Sequence, residues 1–149
     1  MMIRQMLTSD VDAVYRIACI SLDEEYIREV FCYFIAGWPS GQLVATDEFG
    51  NAVGFLTGAR LTKDKATISL LAVAPGHRGK GVGRRLVEEF KLRAMMDGKQ
   101  FIQLETRETD PGAVSFYEKM GFAPVAYIQD FYHDGCTAVR LLSSVRRNS

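Results

Sequence analysis

Little in this 149-residue chain points to a special environment. Its three cysteines, Cys19, Cys32 and Cys136, are odd in number and widely spaced, with no C-x-x-C pair. That excludes a disulfide framework and a thiolate zinc site. Neither of the two histidines, His77 and His133, completes a metal-ligand cluster, so no metal is expected. No apolar run approaches the length of a membrane span, and residues 1–7 lack the apolar stretch of a signal peptide. Neither sign of charge is in excess. Lys+Arg and Asp+Glu both total 18, which argues against a protein whose main task is gripping nucleic acid. The expectation is a cytoplasmic protein with reduced thiols and neither nucleic acid nor membrane as partner.

What is present suffices for a full core. The chain is 48% hydrophobic and 24% charged, ordinary for one globular domain of this length. Residues 1–149 read as a single domain without repeats or linkers, ending in a polar, basic and flexible tail over 143–149. A short strand is expected over 3–7. Thr8 or Ser9 would cap a helix reaching about Ser21, a side-chain oxygen accepting a free amide of the first turn. Ile27, Val30, Phe31, Phe34 and Ile35 recur at helical spacing and predict a second helix over about 25–36, ended by Gly37, Trp38 and Pro39. Strands over 43–46, 53–61 and 66–73, with turns at 47–51 and 62–65, form an antiparallel meander. A glycine-rich loop after Pro75 leads into a helix over 82–97, stopped by Gly98. Residues 101–106 form a strand. Asp110-Pro111 opens a helix that ends at Gly121, with a capping side chain and then proline at the first helical position. Strands over 122–129 and 137–142, joined through Asp134-Gly135, close the chain. The order β-α-α-β-β-β-α-β-α-β-β describes an α+β domain around one mixed sheet.

The most informative segment runs from Leu70 to Gly83: an apolar strand, then a loop with Gly76, Gly79 and Gly81, then a helix start. Helix starts expose unpaired amides and the positive end of the dipole. Glycines let the backbone approach an anion closely. His77, Arg78, Lys80, Arg84 and Arg85 crowd into the same stretch. The physical product is a diphosphate cradle. A Walker loop needs Ser or Thr after its lysine, and Gly81 follows Lys80. The dinucleotide fingerprint needs a third glycine where Arg84 or Leu86 stands; an acid at Glu105, at the end of the next strand, keeps a nucleotide-binding module as a minor alternative.

The remaining match is R-x-x-G-x-G, met by Arg78, Gly81 and Gly83. With it the chain resembles the GNAT acetyltransferase superfamily, whose order of strands and helices it follows from end to end. The resemblance implies a GNAT-type single domain with a mixed, mostly antiparallel sheet flanked by helices. It implies acetyl-CoA as co-substrate, held by Leu71, Ala72, Val73, Arg78, Gly79, Lys80, Gly81, Val82, Gly83, Arg84 and Tyr117. In that family the strand before the loop splays from its neighbour and pairs with the pantetheine arm. The Val73 amide is then the donor to the thioester oxygen.

Positions 101, 103 and 105 share one strand face, and Leu104-Glu105-Thr106-Arg107 resembles the segment where RimI-type acetyltransferases carry a glutamate base. The resemblance makes Glu105 the base; without it Glu105 reads as a solvated strand-end carboxylate. The segment 114–122 resembles the family's helix in which a tyrosine protonates the leaving thiolate, which implies Tyr117 as the acid. By helical spacing alone, Tyr117 would pack beneath the sheet with Ala113 and Met120. Asp110 stands where the family often has asparagine and is given no cofactor contact.

Leu22, Glu24, Tyr26, Trp38 and Pro39, with Phe131-Tyr132-His133-Asp134-Gly135, resemble the Ard-type branch that acetylates protein amino termini. The resemblance implies Glu24, Tyr26 and Tyr132 as substrate-binding residues and a protein or peptide N-terminus as acceptor. It leaves open an association with the ribosome or an auxiliary subunit. Lysine or small-molecule amine acetylation, and a non-catalytic acyl-CoA sensor, are the alternatives.

Overall fold

The period of two along the strands sorts apolar side chains onto the two faces of one sheet. A computed structural model describes residues 1–22 and 24–145. Its elements are β1 (Met2–Gln5), α1 (Val11–Ser21), α2 (Glu29–Gly37), β2 (Leu43–Thr46), β3 (Ala52–Arg60), β4 (Lys65–Val73), α3 (Val82–Met96), β5 (Phe101–Arg107), α4 (Pro111–Lys119), β6 (Ala123–Ile128) and β7 (Ala138–Ser144). Short 3-10 turns precede α1 (Thr8–Asp10) and β2 (Pro39–Gly41). The strand order is β1-β2-β3-β4-β5-β7-β6. Of these neighbouring pairs, β4–β5 is parallel and the others are antiparallel.

Two cores result. On one face Leu43, Ala45, Leu56, Leu86, Phe90, Ile102 and Leu141 pack together under α3, with Tyr117 of α4. On the other Val44, Phe55 and Ala72 meet Val11, Val14, Ile17 and Ala18 of α1 and Phe31 of α2. Burying one such side chain contributes roughly 1.5–3 kcal/mol.

A bulge divides β4 into two halves. Thr57 pairs with Leu70 and Gly58 with Ile68, so Ser69 is the extra residue. It reverses the faces: Ala66 and Ile68 point to the α3 side, whereas beyond it Leu71 and Val73 do, and Ala72 turns to α1. Bulges re-aim side chains and bend a strand in this way. The buried Gln42 spans the partner side, donating Nε2 to the carbonyls of Trp38 and Gly58 at 2.9 and 2.8 Å and accepting the Gly58 amide at 3.0 Å. β4 pairs with β5 only over Lys65–Thr67. Beyond the bulge the two strands separate.

The element order agrees with the sequence expectation, with three local corrections. Neither Thr8 nor Ser9 caps α1. Asp10 does the local bonding instead, accepting the Leu7 amide at 2.8 Å and both terminal nitrogens of Arg4 at 2.8 Å; the Arg4 guanidinium holds its carboxyl below the usual range. α2 starts at Glu29, not near residue 25, because Ile27 fits the helical spacing yet is 66% exposed. Ser143 and Ser144 belong to β7, and Val145 is buried with its amide on the Gln100 carbonyl at 3.0 Å, so these three are no tail. The remainder of the expected tail, 146–149, lies outside the described residues, as does Asp23.

Candidate active site

β4 and β5 leave a gap between them, and the backbone that lines it is oriented by β3. The Ala74 amide donates to the Val53 carbonyl at 2.8 Å, which fixes that peptide's orientation toward β3. The Val73 carbonyl and amide therefore face the opposite way, into the gap, since the two sides alternate along a strand. Arg78 uses this directly: its Nε donates to the Val73 carbonyl at 2.9 Å. The loop after β4 turns on Gly76, Gly79 and Gly81, with φ of 89°, 76° and 82°. These are left-handed conformations that side chains disfavour. Gly81 is the N-cap of α3, so the free amides of that helix open onto the same place.

The loop, β4 and α4 enclose a cleft of about 580 Å³. Of the residues expected to hold the co-substrate, Leu71, Ala72, Val73, Arg78, Gly79, Gly81, Val82, Gly83 and Arg84 line it. Lys80 and Tyr117 do not. A cofactor with a diphosphate and an extended amide-bearing arm fits these residues. There are bare helix amides and glycine backbone for the phosphates, and a strand edge free to pair for the arm. Arg84 also pairs with Glu88 one turn along, at 2.9 Å.

A second pocket, of about 230 Å³, contains Glu24, Tyr26, Glu105, Tyr117 and Tyr132 together. Leu22, Leu71, Asp110 and Ala113 line both cavities, so the two meet beside β4. Glu105 lies on β5 opposite Arg140 of β7. Gln103 Nε2 and Arg140 Nε both donate to its Oε2 at 3.1 Å, so Oε1 has no partner among the described residues. Glu105 is thus a held carboxylate rather than a solvated strand end.

Tyr117 packs beneath the sheet, as its helical spacing predicts, and its ring also reaches a cavity. It is 8% exposed, packs edge-on against Phe116 and Phe122 at 5.0 and 5.5 Å, and still lines the second pocket. Burial pushes its phenol well above the ordinary value of about 10. Burial likewise pushes the Tyr132 phenol up to about 12, against the pull of Arg107.

Sequence reasoning gave no role to several residues here. Phe116 lines the larger cleft, and a Cβ added to Gly83 would stand 3.4 Å from its ring. Asp110, expected as the cap of its helix, does cap α4 by accepting the Ala113 amide at 3.1 Å, and it also lines both cavities, a place not expected of it. Thr106 lines the second pocket with a buried hydroxyl that has no partner among the described residues. Arg107 follows the 101, 103, 105 alternation, so its face was legible; its partners, on two distant loops, were not. Among the described residues no group of three or more His, Cys, Asp or Glu could hold a metal, and no helix is long and apolar enough to cross a membrane.

Comparison with known proteins agrees with this geometry. The acetyltransferase (GNAT) family model matches residues 8–122. N-alpha-acetyltransferase 30 of Schizosaccharomyces pombe is 32% identical, over 81% of this chain and 83% of its own length. The protein of that name from Xenopus laevis is 30% identical over 86% of this chain, which spans 48% of that longer relative. Among solved structures, Ard1 from Thermoplasma volcanium superposes with a TM-score of 0.92 at 32% identity, covering 98% of each chain. A model match of that extent, joined to the cleft at the start of α3, establishes that the chain belongs to the GNAT acetyltransferase family.

Proposed function

We propose that this protein transfers an acetyl group from acetyl-CoA to the α-amino group of a protein or peptide N-terminus, by direct attack of the amine. The observation that carries this reading is the shared wall: the cofactor cleft and the pocket holding Glu105 meet at Leu71. The relatives at 30% identity or more that carry the name N-alpha-acetyltransferase support the α-amine as acceptor.

Acetyl-CoA, when bound, supplies the acyl group as a thioester. The residues do the rest. The amides of the Val82 helix start and the glycine loop, with Arg78 and Arg84, hold the phosphates. The Val73 amide faces the gap, where it donates to the carbonyl oxygen as negative charge develops there. Glu105 takes the proton of the attacking amine, directly or through one water. An α-amine has a pKa of roughly 7.7–8, so a modest base suffices. Tyr117 donates a hydrogen bond to the departing sulfur. Its raised pKa favours that over complete transfer, since an alkyl thiol such as cysteine titrates near ~8.5 and would leave the phenol its proton. Glu24, Tyr26 and Tyr132 wall the first residue of the acceptor.

The three free cysteines suit a reducing, cytoplasmic compartment, and association with the ribosome or an auxiliary subunit is compatible with this acceptor. The test is free-thiol release from acetyl-CoA with a panel of peptides differing in their first residue. Turnover of free N-termini is expected. Turnover only of peptides with blocked N-termini and free lysines would overturn the α-amine assignment, and binding of acetyl-CoA without turnover of any amine would make the protein a sensor.

A further inference from the structure

Among the described residues, Arg107 is the cation of the acceptor pocket that reaches both of the loops enclosing it. Its Nη1 donates to both carboxylate oxygens of Asp134, at 2.8 and 3.0 Å. Its Nη2 reaches Glu24 at 3.4 Å, and its guanidinium lies 4.2 Å from the centre of the Tyr132 ring. Asp134 belongs to the connection between β6 and β7, and Glu24 to the connection between α1 and α2. Arg107 itself sits on β5, two residues from Glu105 and on the same face.

The Asp134 carboxylate does double duty. It accepts the Cys136 amide at 3.0 Å, closing its own turn, and it takes Arg107. Both interactions hold its pKa below the usual range, the Cys136 amide contributing most. The Tyr132 carbonyl accepts the Gly135 amide at 2.9 Å in the same turn. The turn is therefore closed by its own hydrogen bonds, and Arg107 fastens it to the sheet with the Tyr132 ring over the guanidinium. A planar, forked cation is suited to holding two carboxylates and an aromatic face at once. Lysine, with one nitrogen at the end of a flexible stem, cannot meet all three.

We infer that Arg107 is a positioning residue for the acceptor. It ties the loops bearing Glu24 and Tyr132 to the catalytic strand, and so sets the width and walls of the site that receives the first residue of the peptide. The inference rests on the peptide N-terminus reading proposed above. The Glu24 tie, at 3.4 Å, is the longer of the two carboxylate ties, which marks Glu24 as the wall that yields when an acceptor enters, while the Asp134 tie holds.

The experiment compares the wild type with Arg107→Met, Arg107→Lys and Asp134→Asn. Thiol-release kinetics with a preferred peptide, acetyl-CoA affinity by calorimetry and amide hydrogen exchange are measured on each. Arg107→Met keeps the apolar stem against Tyr132 and loses both ties. Its KM for peptide should rise at least tenfold with kcat within threefold of wild type and acetyl-CoA affinity within twofold. Exchange over residues 24–28 and 129–137 should quicken. Asp134→Asn should move KM the same way by less, Arg107→Lys should recover part of the loss, and Arg107→Met with Asp134→Asn should be no worse than Arg107→Met alone, because both remove one link. An unchanged KM beside faster exchange would leave Arg107 a purely structural strut and overturn the inference. So would an equal loss of acetyl-CoA affinity. A wild-type protein inert toward every peptide would sink the acceptor reading itself, a result distinguishable from either of these.

Discussion

Replacing Glu105 by glutamine tests the chemistry while nearly preserving shape. A positioned general base contributes typically 10²- to 10⁴-fold, about 3–5 kcal/mol of barrier at ~1.4 kcal/mol per factor of ten. Against this stands a structural cost. The variant keeps an amide oxygen for Gln103 and Arg140 but loses the charge facing Arg140, a pair in which Arg140 is 34% and Glu105 19% exposed. A pair so placed is worth about 1 kcal/mol, or roughly 2–4 °C in Tm for a chain of this size. The two effects are well separated. At pH 7 the variant should lose at least a hundredfold in kcat/KM, remain folded at 25 °C and bind acetyl-CoA within about threefold of wild type. Its residual rate should climb toward pH 8 with the neutral fraction of the α-amine, titrating near ~8, since the enzyme no longer removes that proton. Thiol release across pH 6–8, calorimetry and thermal melting decide it. A kcat/KM within fivefold of wild type, or an equal loss of acetyl-CoA affinity, would refute the assignment of Glu105 as base.

Tyr117→Phe should lower kcat by about tenfold or more with little change in acetyl-CoA affinity, because a hydrogen bond to sulfur is made only as the bond breaks. Its phenol stays protonated at working pH, so the alkaline limb of the pH–rate profile should be the same in wild type and variant. Gly81→Glu should abolish acetyl-CoA binding by calorimetry: φ of 82° strains any side chain there, and a carboxylate would join the phosphates. Gly58→Ala should destabilise by about 1–3 kcal/mol, toward the upper end. The new Cβ would stand 2.6 Å from the Phe90 ring and 2.7 Å from the Thr67 backbone oxygen, so a thermal melt should show a clear loss in Tm and unchanged Tm would contradict the packing.

The glycine loop proposed to hold the diphosphate was legible because every part of it is local: strand, glycines, cations and helix start succeed one another within fourteen residues, from Leu70 to Gly83. The Asp110-Pro111 helix start was legible for the same reason, a cap bonding three residues ahead. The second helix was placed too early because Ile27 kept the spacing of a buried residue while standing at the surface. Glu105 and Tyr132 could be named by resemblance, but not their environment. Arg140 and Arg107, which give them partners, come from register and from loops far along the chain.

The sequence alone therefore determined the order of elements and the glycine loop with its free helix amides at the start of α3, since propensity, capping and glycine conformation act over a few residues. The tertiary structure alone decided that β4 and β5 part after Thr67, that the Ser69 bulge turns Leu71 and Val73 to the α3 side, and that Glu105 meets Tyr117, Tyr132 and Arg107 in one pocket. Those outcomes depend on pairing between distant strands, where a single extra residue reverses which side chains face the site.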